Sequence, residues 1–171
     1  YCYVGAVRQG DRTLIVALLA CGWPNNKNYK WADTKTLVQY GLDQYGYCNY
    51  WEDAMQDQDI RILEAGKKRT VKDAPAKDGN LYQDGTVNTF LNIDDQDREK
   101  RILMKKTEAI QVQIEEKQEI TAPIESGDIL GTVTILLNGE TLDEKPIVSG
   151  ESIQKKNLLW IYRQLWKSYA L

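Results

Sequence analysis

Acidic side chains in the middle of the chain have a spacing that could bind calcium. Asp95, Asp97 and Glu99 occupy alternate positions, as the first three ligands of an EF-hand loop do. Such a loop also needs Gly at its sixth position and Glu at its twelfth, and the sixth position here is Lys100. We therefore interpret residues 94–97 as a solvated turn and predict no metal site.

The numbers of histidines and cysteines exclude several kinds of catalytic and metal site. The chain contains no histidine, which excludes Ser-His-Asp catalysis, Cys-His catalysis and imidazole ligands from these 171 residues. The three cysteines, Cys2, Cys21 and Cys48, are too few and too widely spaced for a zinc site. We predict that Cys2 and Cys21 are small hydrophobic residues of a packed core, and we expect no cofactor.

Length and charge limit the class of protein further. A chain of 171 residues makes one or two domains. The net charge is -3 and the pI is near 5.1, and no basic stripe runs through the body of the chain. These features predict no nucleic-acid partner. No apolar run reaches the roughly 18 residues of a membrane-spanning helix.

The first 46 residues have the pattern of a hairpin followed by a helix. Apolar runs at residues 2–8 and 13–21 flank Gly10-Asp11, a two-residue turn that would place Val7 opposite Leu14. The second run is apolar on both faces, which predicts a strand that is covered on both sides. Asp33 is the expected N-cap of the helix, and Gly46 is its expected end.

The rest of the chain is predicted to be mostly β-structure. Residues 47–59 are polar with a few aromatics, and we interpret them as a linker. Strands are expected at residues 60–63, 87–93, 101–105, 110–114, 129–137 and 141–145. Asn138-Gly139 between apolar runs is a strong hairpin signal, because both residues accept positive φ. Short strands with turn signals between them predict a small sandwich-like β domain.

An amphipathic helix is predicted near the C-terminus, within residues 150–171. One face is apolar and aromatic, and the opposite face is cationic. The apolar residues are Leu158, Ile161, Tyr162, Leu165, Trp166 and Tyr169. Such a helix could pack on its own β domain or lie in a membrane interface. The aromatic residues and the cationic polar face favour an anionic membrane surface.

Two separated stretches resemble one enzyme family. They are residues 120–131 with 137–142, and residues 1–11 with 34–41. In this order they resemble the low-molecular-mass penicillin-binding proteins, the serine D-alanyl-D-alanine carboxypeptidases. The resemblance implies an α+β chain: a remnant of a transpeptidase-like catalytic domain (1–46), a linker (47–59), a C-terminal β domain (60–149) and a membrane-anchor helix (150–171).

The catalytic motifs of that family are not present in working order. The resemblance implies three of them, S-x-x-K, S-x-N and K-T-G, which we expect upstream of residue 1. Ser152 and Lys155 match S-x-x-K as a string but lack the required context, and residues 47–49 are a degenerate Y-x-N. In relatives a basic residue of the loop before the helix reaches the substrate carboxylate, so Lys27 and Lys30 are candidates for that role.

The resemblance also implies a function. The intact enzyme would remove the terminal D-alanine from peptidoglycan stem peptides through an acyl-serine, and β-lactams would acylate the same serine. It would lie on the outer face of the bacterial cytoplasmic membrane, with the β domain as pedestal, and this chain alone would be inactive. The alternative is a stand-alone, non-catalytic module that binds or anchors at the cell envelope. We also predict a dimer through the exposed hairpin sheet.

Overall fold

The computed structural model of the chain describes residues 2–20 and 28–169 and has mixed α and β structure with mostly antiparallel sheets. In chain order the elements are β1 (Tyr3–Gln9), β2 (Arg12–Leu18), α1 (Tyr29–Gln44), β3 (Tyr45–Asn49), α2 (Tyr50–Ala54), α3 (Gln58–Ala65), β4 (Lys67–Pro75), β5 (Asp84–Leu91), α4 (Asp95–Arg98), β6 (Arg101–Lys105), β7 (Ile110–Glu116), β8 (Ile129–Leu137), β9 (Glu140–Ser149) and α5 (Leu158–Tyr169).

These elements form two compact units. The N-terminal unit comprises Tyr1–Cys48 with Ile102–Glu108, and the C-terminal unit comprises Asn49–Arg101 with Ala109–Leu171. Strand β6, which we expected within the β domain, pairs with β3. For that reason its residues group with the N-terminal unit rather than with the strands on either side of it in sequence.

The N-terminal hairpin has the predicted register. Val7 lies opposite Leu14, and Gly10 takes the positive φ of 64° that the tight turn requires. Helix α1 packs on one face so closely that a Cβ on Gly41 would lie 3.1 Å from Leu14 Cδ1. On the other face Ile15 is 73% exposed. The expected cover on both faces is therefore absent among the described residues, and Cys2 is exposed rather than in a core.

Helix α1 begins earlier than the sequence predicted. The amides of Trp31 and Ala32 donate to Asn28 O at 3.1 Å, so Asn28 is the N-cap and Asp33 lies inside the helix. The helix ends at Gln44, and Gly46 belongs to strand β3. Cys21 lies outside the described residues.

Residues 47–59, predicted as a linker, instead contain most of β3 and all of α2. Trp51 is almost completely buried, so this segment contributes to the hydrophobic core and is not a linker. The predicted strand at residues 60–63 is wrong, because these residues lie in α3. Asp57 caps that helix by accepting from the Asp59 amide at 2.8 Å, and Ile60 and Leu63 are buried on one helical face.

The C-terminal unit is built on one five-stranded antiparallel sheet with the order β4-β5-β9-β8-β7. The prediction was a sandwich-like domain, whereas the structure has one sheet in which side chains of the two outer strands contact each other. Lys67 of β4 pairs with Glu116 of β7 at 2.5 Å, and Arg69 donates to Lys117 O at 2.5 Å. Strand β8 has the predicted bounds, and the turn after it has positive φ at Asn138 and Gly139.

The core of this unit comes from alternate positions of the sheet. Its fully buried members include Val71, Val87, Val133, Ile135 and Ile147. Each such side chain contributes roughly 1.5–3 kcal/mol through burial. A glycine is needed at residue 131, because a Cβ there would lie 2.5 Å from Glu115 O of the neighbouring strand. The core is therefore contained within the unit itself.

Candidate functional site

The serine and lysine that match S-x-x-K are both engaged in contacts with the β domain. Ser152 Oγ accepts from the Ser126 amide at 2.9 Å. Lys155 Nζ lies 3.1 Å from Asp73 Oδ2, so its charge is balanced by a carboxylate rather than directed at the serine. Ser152 therefore orders the segment before α5, which agrees with the lack of catalytic context seen in the sequence.

The degenerate Y-x-N at residues 47–49 has a structural role at its last residue. Asn49 Oδ1 accepts from the Glu52 amide at 3.2 Å and so caps α2. This capping role accounts for Asn49 without any contact to a substrate.

Of the two candidate carboxylate-binding lysines, the structure describes only Lys30. Its Nζ lies 4.9 Å from the Trp31 ring centroid and 5.6 Å from that of Tyr3. The two rings meet edge to face with centroids 5.3 Å apart. Contacts of this kind contribute about 0.5–1 kcal/mol at exposed sites, and they hold the ammonium above an aromatic pair. Lys27 lies outside the described residues.

A polar cluster that sequence reasoning missed joins α2 to strand β9. Asp143 Oδ2 accepts from the indole Nε1 of Trp51 at 3.0 Å and from the hydroxyl of Tyr50 at 3.2 Å. Burial, together with the charge and hydrogen bond of Asp143, raises the pKa of Tyr50 to about 12. Burial alone would also raise the pKa of Asp143. The Trp51 and backbone hydrogen bonds and the nearby Lys145 and Lys100 outweigh it, so the pKa of Asp143 is lowered.

Asp97 belongs to the same cluster, which corrects the expectation of a solvated turn at residues 94–97. Its carboxylate pairs with Lys145, and with Lys100 at 2.5 Å. Hydrogen bonds from these two lysines lower the pKa of Asp97. Asp94 meanwhile caps α4 by accepting from the Asp97 amide at 2.7 Å. The acidic run thus forms a helix cap and ion pairs.

Five of the six predicted anchor residues are exposed on α5. These are Leu158, Tyr162, Leu165, Trp166 and Tyr169. The sixth, Ile161, is half-buried, as are Trp160 and Gln164. The exposed residues share one side of the helix, and Trp160 and Gln164 lie on the other side. The apolar side therefore faces away from the β domain.

The basic residues of α5 differ in their ion pairing from the basic residues just before the helix. No ion pair to Arg163 or Lys167 occurs within the part of the chain that the structure describes, whereas Lys155 and Lys156 pair with Asp73 and Asp84 at 3.1 Å each.

Within residues 2–20 and 28–169, no helix is both long enough and apolar enough to cross a membrane.

Comparisons with known proteins give one family. Residues 96–155 match the family model described as penicillin-binding protein 5, C-terminal domain. These residues include strands β6 to β9 and the segment that leads to α5. No curated protein sequence matches the chain at a significant level.

Several solved structures resemble the chain at low identity. The D-alanyl-D-alanine carboxypeptidase DacD from Francisella tularensis is 19% identical, with a TM-score of 0.42, over 91% of this chain and 33% of its own. Penicillin-binding protein 5 from Haemophilus influenzae is 15% identical, with a TM-score of 0.34, over 91% of this chain and 39% of its own. A peptidoglycan synthesis regulatory factor (PBP3) from Streptococcus pneumoniae is 16% identical, with a TM-score of 0.33, over 90% of this chain and 39% of its own.

This chain thus spans between a third and two fifths of the length of those proteins. The family match at residues 96–155 includes residues 120–131 and 137–142, one of the two parts of the sequence whose pattern carried the resemblance; residues 1–11 and 34–41 lie outside it. The predicted resemblance is confirmed at the level of this match: residues 96–155 are similar to the C-terminal domain of penicillin-binding protein 5.

Proposed function

We propose that this chain is part of a D-alanyl-D-alanine carboxypeptidase that trims the terminal D-alanine from peptidoglycan stem pentapeptides through an acyl-serine intermediate. The family match at residues 96–155 supports this assignment. The 171 residues hold no working set of S-x-x-K, S-x-N and K-T-G motifs. The contribution of this chain is therefore support and placement rather than catalysis.

The β domain would act as a pedestal on the outer face of the cytoplasmic membrane, with α5 as its anchor. The observation that carries this proposal is that the apolar face of α5 points away from the β domain. A helix that packed on its own domain would bury its apolar side, whereas α5 exposes Leu158 and Trp166 and half-buries Trp160 and Gln164. An exposed aromatic face next to cationic residues is typical of interfacial helices.

The same helix is suited to lie on a membrane rather than to cross it. Arg163 and Lys167 would each cost roughly 2.5–3.5 kcal/mol at the bilayer centre on insertion scales. Lying flat avoids that cost and gives about 1 kcal/mol for each charge that meets anionic lipid. Trp166, which stacks with Tyr162 at 6.2 Å between ring centroids, is placed to set the depth.

The test is co-sedimentation of the chain with vesicles of phosphatidylglycerol and phosphatidylcholine in low salt. We expect wild type to bind, Trp166→Ala to bind more weakly and Leu165→Asp to lose binding. The matched control is Ile129→Asp, which places the same charge on an exposed apolar residue of strand β8. Equal binding by Leu165→Asp and Ile129→Asp, or no binding by wild type, would refute the anchor.

A further inference from the structure

We infer that Lys156 is a positioning residue that clasps helix α5 to the end of the β4–β5 ladder and so fixes the direction in which the apolar face points. A role for that direction in membrane binding rests on the proposed membrane anchor. The clasp itself rests only on contacts within the C-terminal unit, so the two ideas can fail separately.

The contacts of Lys156 involve both its backbone and its side chain. Its amide donates to Asp73 O at 2.8 Å. Its Nζ donates to Gln83 O at 2.9 Å and to Asp84 Oδ1 at 3.1 Å. The side chain is only 18% exposed, unusually low for a lysine. Asp84 Oδ1 also accepts from the Asp73 amide at 3.2 Å, so one carboxylate oxygen joins β4, β5 and the segment before α5.

The helix begins directly after this anchor point. Asn157 Oδ1 accepts from the Trp160 amide at 2.8 Å, and Asn157 O accepts from the Ile161 amide at 3.0 Å. Before the clasp, Ile153 and Ile124 exchange backbone hydrogen bonds of 2.8 and 2.9 Å. No residue lies between the clasp and the helix cap, so the chain has no hinge there.

A second contact lies more than one turn along the helix. Gly79, in the β4–β5 loop, has φ +79°, and a Cβ on it would lie 2.7 Å from Gln164 Oε1. The loop itself is tightened by a hydrogen bond from the Gly79 amide to Ala76 O at 3.0 Å. Two separated contacts fix the direction of the helix axis, whereas a single contact would let the helix rotate about that point.

Lys155 supplies a natural comparison. It is adjacent and carries the same charge, but its side chain is 58% exposed and its partner Asp73 is 46% exposed. Exposed pairs of this kind contribute about 0–1 kcal/mol. Replacing Lys155 therefore removes the same charge as replacing Lys156 without removing the clasp.

Hydrogen exchange in lipid-free buffer tests the clasp on the full chain. A 12-residue helix is marginal in water by itself, so protection of its amides requires docking. We expect protected α5 amides in wild type. In Lys156→Met this protection should fall on the order of tenfold or more, as expected for lost hydrogen bonds to a charged group. Lys155→Met should keep it and Lys156→Arg should restore it, while β8 amides stay unchanged in all variants.

Two results would overturn the clasp: α5 amides that exchange at the unstructured rate in wild type, or equal loss of protection in Lys155→Met and Lys156→Met. Asp84→Asn is the second variant, which weakens the clasp without shortening a side chain, and it should lower α5 protection as well. Vesicle co-sedimentation is run in parallel. Intact protection without sedimentation would leave the clasp standing and refute the anchor, whereas sedimentation without protection would make α5 a loose tether and refute the clasp.

Discussion

Loss of Asp143 should destabilise the C-terminal unit. Asp143 accepts hydrogen bonds from Trp51 Nε1 and Tyr50 OH, and both aromatic residues are buried. In Asp143→Ala these two donors lose their acceptor inside the protein. Each unsatisfied buried donor costs about 1–3 kcal/mol, so we expect the free energy of unfolding to fall by about 2–6 kcal/mol. Asp143→Asn keeps an acceptor oxygen, so its loss should be nearer 1 kcal/mol.

The measurement is urea denaturation followed through amide signals of β8 and β9, which report on the C-terminal unit alone. Glu144→Ala is the matched control, because it removes an exposed carboxylate from the next position of the same strand. A double-mutant cycle with Trp51→Phe, which removes only the indole donor, isolates the hydrogen bond. If Asp143→Ala costs no more than Glu144→Ala, or if the cycle gives no coupling, the cluster does not stabilise this unit.

Four further outcomes follow from the described contacts. Because the pKa of Tyr50 is raised to about 12, its contribution is full below pH 10 and is lost as pH rises toward 12; Tyr50→Phe should remove that part of the alkaline stability loss. A fluorescent β-lactam should not label the chain covalently, and labelling that disappears in Ser152→Ala would refute this. The exposed sheet face should support a dimer that Ile15→Lys weakens in sedimentation velocity, and an unchanged dimer would contradict it. Vesicle affinity should fall more in Lys167→Gln than in Lys155→Gln, whose charge Asp73 already balances, and equal losses would oppose that reasoning.

Local turn chemistry is where the sequence predicted the fold well. The Asn138-Gly139 turn set the end of strand β8 and the pairing of Leu137 with Glu140, and the Gly10-Asp11 turn set the pairing of Val7 with Leu14. A two-residue turn with positive φ determines register directly, so no distant contact was needed.

Tertiary burial is where sequence reasoning failed. Residues 60–63 alone are too short an apolar run to distinguish strand from helix, and the deciding cap, Asp57, lies outside them. Strand β4 was missed because it has few apolar residues and many charges. The segment at 47–59 was predicted as a linker because nothing local shows that Trp51 is buried.

The contacts of the polar cluster and of Lys156 were harder to predict, because their partners are far apart in sequence. Trp51 and Asp143 are 92 residues apart, and Lys156 and Asp84 are 72 apart. Periodicity predicted one apolar face for α5. It could not show on which side the β domain lies, since that depends on the contact between Gly79 and Gln164.

The pairing of the basic residues changes how α5 would bind a membrane. After Glu151 the sequence offers four basic side chains, which would together contribute about 4 kcal/mol at about 1 kcal/mol each on an anionic surface. Asp73 and Asp84 already pair with Lys155 and Lys156, so only Arg163 and Lys167 remain, and the electrostatic part falls to about 2 kcal/mol. The apolar face must then supply most of the affinity. For this reason Leu165→Asp should be more damaging than the loss of any one charge.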